Sequence, residues 1–316
     1  MSKEQTMGEK PRILVIGSIN MDVVLKAEKF PAPGETVLGT ELSLIPGGKG
    51  ANQAVALSRL GASASLLGRV GADPWGEELA GKLRENGVDT ENVAAVDSLP
   101  TGNATIIVDQ KGENRIVLIA GANDALLPED VDRALAGEAA WDAILLQLEI
   151  PIETVCHAIS AAAARGIPVI LDAGPPVKLP LEKLRGVTVL SPNESETEAL
   201  TGIRPDGLES ASRAAALLEE STGAREVVLK LGDRGALYRN DGHWELIEAH
   251  QVEVVDTTAA GDSFTAALAI EYTRGTGIKE AARRAMAAGA LAVTRLGAQP
   301  SLPTAEEVDR LLERAG

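Results

Sequence analysis

The sequence predicts an α/β fold: a mostly parallel central sheet with helices on both faces and a small β-sheet lid appended to it. Two observations lead there. Short apolar runs rich in Val, Ile and Leu alternate along the chain with longer stretches of helical periodicity, the pattern of a parallel sheet buried on both faces. Two further segments break that alternation and read as hairpins outside the main sheet. At 316 residues, 45% of them hydrophobic, the chain is long enough to bury a substantial core without disulfides. It could form none within itself, since Cys156 is the single cysteine.

Taken in order, residues 12–17 (RILVIG) are the first buried strand, a β-branched run closed by Gly. Similar runs at 64–68, 143–148, 168–172, 188–190 and 226–231 supply the others. Helical patterns at 51–60, 76–86, 128–136, 152–165 and 209–220 fall between them. Asp241-Gly242 between apolar runs at 236–240 and 243–247 is a strong hairpin signal. Helices then follow at 262–274, 279–294 and 304–314. The segments that break the alternation are 23–44, interrupted by Pro31-Ala-Pro33-Gly34, and 104–120, interrupted by Lys111-Gly112. Paired together they make the lid, formed from about 20–45 and 101–120. Residues 1–10 read as a loose tail, and 11–316 as one domain carrying the lid.

With 30 Lys and Arg against 46 Asp and Glu, the chain carries a formal charge of −16. That balance repels nucleic-acid backbones and anionic membrane surfaces. Aromatics at 2% leave little for base stacking. The three histidines are scattered and no CxxC or HExxH occurs, so a zinc site is not expected. The start of the chain lacks an apolar signal segment and no run is long enough to span a bilayer, so the expected location is the cytoplasm.

Five segments could carry chemistry. Asp256-Thr-Thr-Ala-Ala-Gly-Asp262 runs into a helical pattern. The small Ala259, Ala260 and Gly261 let a ligand approach the backbone, and free N–H groups at a helix start attract anions. Asp262 beside them could take a hydroxyl proton while the N–H groups hold a transferring phosphoryl group. An ordinary N-cap Asp after a Gly turn would have the same spacing. Pro46-Gly-Gly-Lys-Gly-Ala-Asn52 opens the 51–60 helix, with Lys49 and Asn52 as donors to hydroxyls. It lacks the GxxxxGK[ST] spacing of a Walker loop, and a tight strand-to-helix turn explains it equally. Gly17-Ser-Ile-Asn20-Met-Asp22 lies past the first strand, where ligands of open α/β sheets bind; Asn20 and Asp22 could bracket a polyol or shape the turn. In Ser191-Pro-Asn193-Glu-Ser-Glu196, Ser191 and Glu194 have the spacing of a capping box, while Asn193 and Glu196 could serve Mg²⁺ near a nucleotide. Lys230-Leu-Gly232-Asp-Arg-Gly235 reads by itself as a turn.

Together these segments resemble the ribokinase-like family of carbohydrate kinases. GSINMD, PGGKGANQA, LQLE at 146–149, SPNESE, KLGDRG and DTTAAGD stand in that family's order and span nearly the whole chain. The resemblance implies a Rossmann-like sheet and transfer of phosphate from ATP to the 5-hydroxyl of D-ribose. It makes Asp262 the general base and Ala259, Ala260 and Gly261 the anion hole. It assigns the sugar to Asn20, Asp22, Gly48, Lys49, Asn52 and Glu149, with Asp262 completing the ring. ATP falls to Asn193, Lys230, Gly232, Gly235, Gly261 and Met286, with Glu196 assisting Mg²⁺ indirectly. A monovalent cation, K⁺, is implied at Asp256, Thr258, Ala292, Arg295, Gly297 and Ser301, and a homodimer through the lid.

Three positions depart from the family pattern. Lys230 stands where Thr is frequent, Met286 where some members have His, and Asp172-Ala-Gly-Pro replaces Asn-Pro-Ala-Pro. Relatives acting on 2-deoxyribose, fructose or nucleosides are the nearest alternatives, though a nucleoside would need an apolar platform that few aromatics can supply. A non-catalytic sugar-binding protein would be expected to lose Asp262 or Gly261, and both are present. A dinucleotide oxidoreductase would need GxGxxG where GSINMD stands.

Overall fold

The computed structural model describes residues 10–137 and 140–315. The tail expected over 1–10 lies outside the described residues except for Lys10. The chain opens with β1 (Arg12–Ile16), then leaves the main sheet for β2 (Asn20–Ala27) and β3 (Gly39–Gly47) before α1 (Lys49–Arg59). It returns through β4 (Ser63–Gly71), α2 (Pro74–Glu85) and β5 (Val93–Val96), and departs again for β6 (Gly102–Val108) and β7 (Asn114–Ile119). Regular alternation follows: α3 (Pro128–Ala136), β8 (Ala143–Leu146), α4 (Ile152–Ala163), β9 (Val169–Leu171), β10 (Val189–Leu190), α5 (Glu194–Thr201), α6 (Leu208–Thr222) and β11 (Glu226–Lys230). The hairpin β12 (Ala236–Asn240) and β13 (His243–Ile247) precedes the last helices, α7 (Ala260–Arg274), α8 (Ile278–Ala292) and α9 (Ala305–Ala315).

The main sheet has nine strands in the order β13-β12-β11-β10-β9-β8-β1-β4-β5. Pairing is parallel from β11 to β5, and the β12–β13 hairpin adds an antiparallel edge. Period-two alternation splits the core between the two faces. Ile13 and Val15 of β1 pack on the side of α1, α7 and α8, while Leu14 and Ile16 pack on the side of α3, α4 and α6. With few aromatics available, alanines fill the space between α7 and α8. Helix α7 is buried on nearly all sides from Asp262 to Glu271, so its first turn is fixed from several directions.

The strand order reverses between β1 and β8, which places a crevice beyond the carboxyl ends of those two strands. The lid stands over that end. It is a four-stranded sheet, β3-β2-β6-β7, whose two hairpins are joined by parallel pairing of β2 with β6. Strand β5 was not foreseen; its VAAV is short and half exposed, so no apolar run marks it.

The capping box expected at Ser191 and Glu194 is displaced by two residues. Asn193 is the N-cap of α5: its side chain accepts from the Glu196 N–H at 2.9 Å, and Glu196 accepts from the Asn193 N–H at 2.7 Å. Ser191 ends up buried just past β10, its hydroxyl without a partner. Both pairs have the same three-residue spacing, and only the end of β10 decides between them.

Candidate active site

Two turns beyond β1 are pressed together. A Cβ on Gly50 would lie 2.5 Å from the Gly17 carbonyl carbon, and one on Gly48, whose φ is 88°, would lie 2.7 Å from the Asn20 nitrogen. Only glycine permits that approach. It sets the first turn of α1 against the start of β2.

Around this junction the polar groups converge. The Ser18 hydroxyl and the Lys49 N–H both donate to Glu149 Oε2, at 2.5 and 3.1 Å. Asn123 donates through Nδ2 to Asn20 Oδ1 at 2.8 Å and accepts from the Ile19 N–H at 2.9 Å, which leaves the Asn20 amide nitrogen free to point outward. Asn52 Nδ2 donates to Asp262 Oδ2 at 3.0 Å, and its buried Oδ1 has no partner. Asp22 accepts no hydrogen bond from the described residues. Burial, then the charges of Glu149 and Asp262, push its pKa up to about 7. A half-buried carboxylate and a buried amide oxygen, both without donors among the described residues, are what a ligand rich in hydroxyls would satisfy.

Asp262 is buried at the first turn of α7. It accepts from Asn52 and, at 3.0 Å through Oδ1, from Gln53 Nε2; the Lys49 ammonium lies 3.9 Å away. Burial raises its pKa and the charge of Asp172 adds to the rise, against opposing pulls from Lys49, Gln53 and Asn52. Just before it the run of small residues has an unusual backbone: Ala259 is in the left-handed region at φ 60°.

That costs a β-carbon-bearing residue about 1 kcal/mol or more, a strain that recurs at ligand-binding turns. Its effect here is to start α7 abruptly. The N–H groups of Gly261 and Asp262 make no backbone hydrogen bond, and that of Ala260 makes only a long one, 3.3 Å to the Thr257 carbonyl. These donors and the helix dipole form an anion site beside the carboxylate.

On the other side of Asp262 lies a cleft of about 670 Å³, the size of a pocket for a cofactor-sized ligand. Asn193, Glu196, Lys230, Gly232, Gly235, Gly261 and Met286 all line it. So do Lys49 and Asp262, which therefore face both compartments. The ammonium of Lys49 turns away from Glu149 and toward Asp172, at 3.1 Å. Burial pulls its pKa down, but the carboxylates of Asp172, Asp262, Glu196 and Glu149 outweigh that and hold it well above the usual lysine range.

The third group of expected residues sits behind the anion site. Asp256 Oδ1 accepts from the Thr258 N–H and hydroxyl at 2.9 and 2.6 Å, and its Oδ2 accepts from the Gly297 N–H at 2.8 Å. Ser301 is buried, with its hydroxyl on the Ala298 carbonyl. Ala292 ends α8 ahead of this loop, and the side chain of Arg295 turns away to Glu307. Among the described residues no group of three His, Cys, Asp or Glu is placed to hold a metal ion.

Several positions in this site went unmarked in the sequence. Gln53 and Gln147 form a buried relay, Gln147 Nε2 donating to Gln53 Oε1 at 2.5 Å. Gln53 is four residues after Lys49, on the same face of α1, so that spacing was a readable signal. Ser18 and Asn123 offered none, because their partners are far along the chain.

A model of the pfkB family of carbohydrate kinases matches residues 10–305. A ribokinase of Bacillus subtilis is 40% identical over 300 residues, covering 95% of this chain and 99% of that protein. A deoxyribokinase of Salmonella typhimurium is 34% identical over 301 residues, covering 95% and 98%. The structure of Arabidopsis thaliana ribokinase complexed with ribose and ATP is similar with a TM-score of 0.88, at 34% identity over 96% of this chain and 99% of that one. No described helix is long and apolar enough to cross a membrane. The sheet, the lid, the crevice at the strand reversal and the match over nearly the whole length agree: the chain belongs to the pfkB family of carbohydrate kinases.

Proposed function

We propose that the chain transfers the terminal phosphoryl group of ATP to O5 of D-ribose, giving D-ribose 5-phosphate. The observation that carries this reading is the ring of Asn20, Asp22, Asn52 and Glu149 that opens onto Asp262 beside the free N–H groups of α7. Such a ring holds a small polyol by its hydroxyls, and it turns one hydroxyl toward a base. Asp262, with its pKa raised, takes the proton of that hydroxyl. The N–H groups around Ala259, Ala260 and Gly261 hold the phosphoryl oxygens as negative charge moves across them. The nucleotide lies over Asn193, Lys230, Gly232, Gly235 and Met286.

The residues suit a Mg²⁺ ion that arrives on the nucleotide. With no protein cage of three ligands among the described residues, the ion would keep water and phosphate oxygens, with Glu196 acting at a distance through water. When bound, it neutralises charge on the phosphates. The loop at Asp256, Thr258, Ala292, Arg295, Gly297 and Ser301 suits K⁺, because it offers mostly backbone carbonyl oxygens, with one carboxylate from Asp256 and one hydroxyl from Ser301. Asp256 ties Thr258 to Gly297 and so braces the turn that carries Ala259.

The single-domain organisation over 11–316, with the lid drawn from it, belongs to the same reading, as does a homodimer. Strand register puts Val23, Leu25, Leu42, Leu44, Val117 and Ile119 on the lid face opposite Asp22. Leu42 and Val117 are more than 60% exposed, a poor arrangement for a sheet standing alone in water. A second lid would cover that face. Val117→Glu is expected to turn a dimer into a monomer in sedimentation equilibrium; a wild type that sediments as a monomer would overturn the dimer.

The function is tested by ADP release with Mg–ATP over ribose, 2-deoxyribose, fructose, adenosine and no sugar, in K⁺ and then in Na⁺. The expected result is a preference for ribose and activation by K⁺. Preference for another acceptor would overturn the sugar assignment, and equal rates in both salts would overturn the cation assignment.

A further inference from the structure

The buried carboxylate of Asp172 is met by two lysines. Lys230 Nζ lies 2.5 Å from its Oδ1, while Lys49 Nζ at 3.1 Å and Gln53 Nε2 at 2.8 Å share its Oδ2. Lys49 and the Gln53 amide meet one oxygen and Lys230 the other, while both ammonium groups also face Glu196 and Lys49 faces Asp262. The same Gln53 nitrogen also donates to Asp262, so Asp172, the two lysines and the base form one connected unit. Asp172 is fully buried, whereas Lys230 retains a little exposure toward the cleft. There its ammonium comes within 3.7 Å of where a β-carbon on Gly261 would sit. It therefore stands at the mouth of the anion site, next to N–H groups that have no partner.

We propose that Lys230 is a second phosphate-directed cation, one that contacts the phosphoryl group in flight, and that Asp172 is the positioning residue that aims it. This rests on the phosphotransfer reading above. As the bond from the sugar oxygen to phosphorus forms, the bond from phosphorus to the β–γ bridging oxygen breaks. The electron pair leaves on ADP, the hydroxyl proton passes to Asp262, and Lys230 donates hydrogen bonds to the phosphoryl oxygens throughout. A Thr at this position would offer one neutral hydroxyl; the ammonium offers charge at longer reach. An ammonium at 230 needs a carboxylate at 172 to hold it off Lys49, and a carboxylate at 172 is neutralised by the lysines.

The test is nucleotide binding without sugar, measured by calorimetry with Mg²⁺ and either ADP or the β,γ-imido analogue of ATP. Wild type, Lys230→Met and the double variant Asp172→Asn/Lys230→Met are compared. A lost charge-assisted hydrogen bond predicts that Lys230→Met weakens the analogue about tenfold or more, with ADP changed less than about threefold. The double variant removes one carboxylate and one ammonium together, leaves Lys49 facing Asp262 and Glu196, and decides the matter if the single variant folds poorly. It is expected to lose the same discrimination between triphosphate and diphosphate. Equal losses for both nucleotides, or no loss, in the folded variants would overturn the proposal and leave Lys230 as a counter-ion for Asp172. Because no sugar is present, this result stands apart from the acceptor assignment, which the sugar panel decides by itself.

Discussion

Asp262→Asn is expected to lower kcat about 10²- to 10⁴-fold, the usual contribution of a positioned base, while KM for ribose and for ATP moves little. The amide keeps the shape of the side chain and one acceptor for Asn52 or Gln53, both within 3.0 Å. It cannot accept a proton. The sugar ring and the nucleotide cleft are built mostly from other residues, so binding should survive where turnover does not. Steady-state kinetics with each substrate varied in turn measures this split. A variant with near-normal kcat would remove Asp262 from the role of base.

Asp22→Asn is expected to stabilise the sugar-free protein at alkaline pH and to weaken ribose binding. The folded carboxyl has its pKa pushed up to about 7, from an ordinary 3.8, first by burial and then by the charges of Glu149 and Asp262. A carboxyl that holds its proton more tightly when folded adds stability that is full below its unfolded pKa. That stability is lost as pH rises through the folded value. Asparagine resembles the protonated form at every pH. The variant should therefore match wild type below about pH 4, gain on it between about pH 4 and about pH 7, and keep a constant lead above that. The rise of about three pKa units sets an upper limit of about 4 kcal/mol on the gain. Thermal unfolding from about pH 4 to about pH 8 reads it, with the difference growing up to about pH 7 and level beyond. KM for ribose should rise about tenfold, the cost of replacing a charged acceptor by a neutral one. A stability difference that does not change with pH would mean that Asp22 does not carry a buried charge.

Stability surrendered at Asp22 is typical of sites shaped for a ligand rather than for the fold. The same tension shows at Ala259, whose left-handed backbone frees the N–H groups that follow it. Neither feature was read from the sequence, but the segments that carry the candidate residues were legible because they are local. Asp262 follows small residues at a helix start, and Lys49 and Asn52 follow a run of glycines. The strands of the main sheet other than β5 were legible for the same reason, as short apolar runs. The β12–β13 hairpin fell where Asp241-Gly242 placed it.

What was not legible depends on contacts across long sequence separations or on small offsets. Asn123 meets Asn20 and Ile19 more than a hundred residues away, and no local pattern announces that. Lys230 and Asp172 were each visible as departures, but their pairing across 58 residues was not. The capping box of α5 failed on an offset of two residues, since Ser and Asn are both good N-caps. The lid hairpins were readable from their turns. The parallel β2–β6 pairing that joins them was not, because a register between distant strands leaves no mark in either one.

The most direct test of the central claim is the ribose arm of the sugar panel, with Mg–ATP and K⁺, followed by phosphorus NMR of the product. D-ribose 5-phosphate is expected to accumulate in step with ADP. Phosphate on another hydroxyl, or ADP accompanied only by inorganic phosphate, would contradict it.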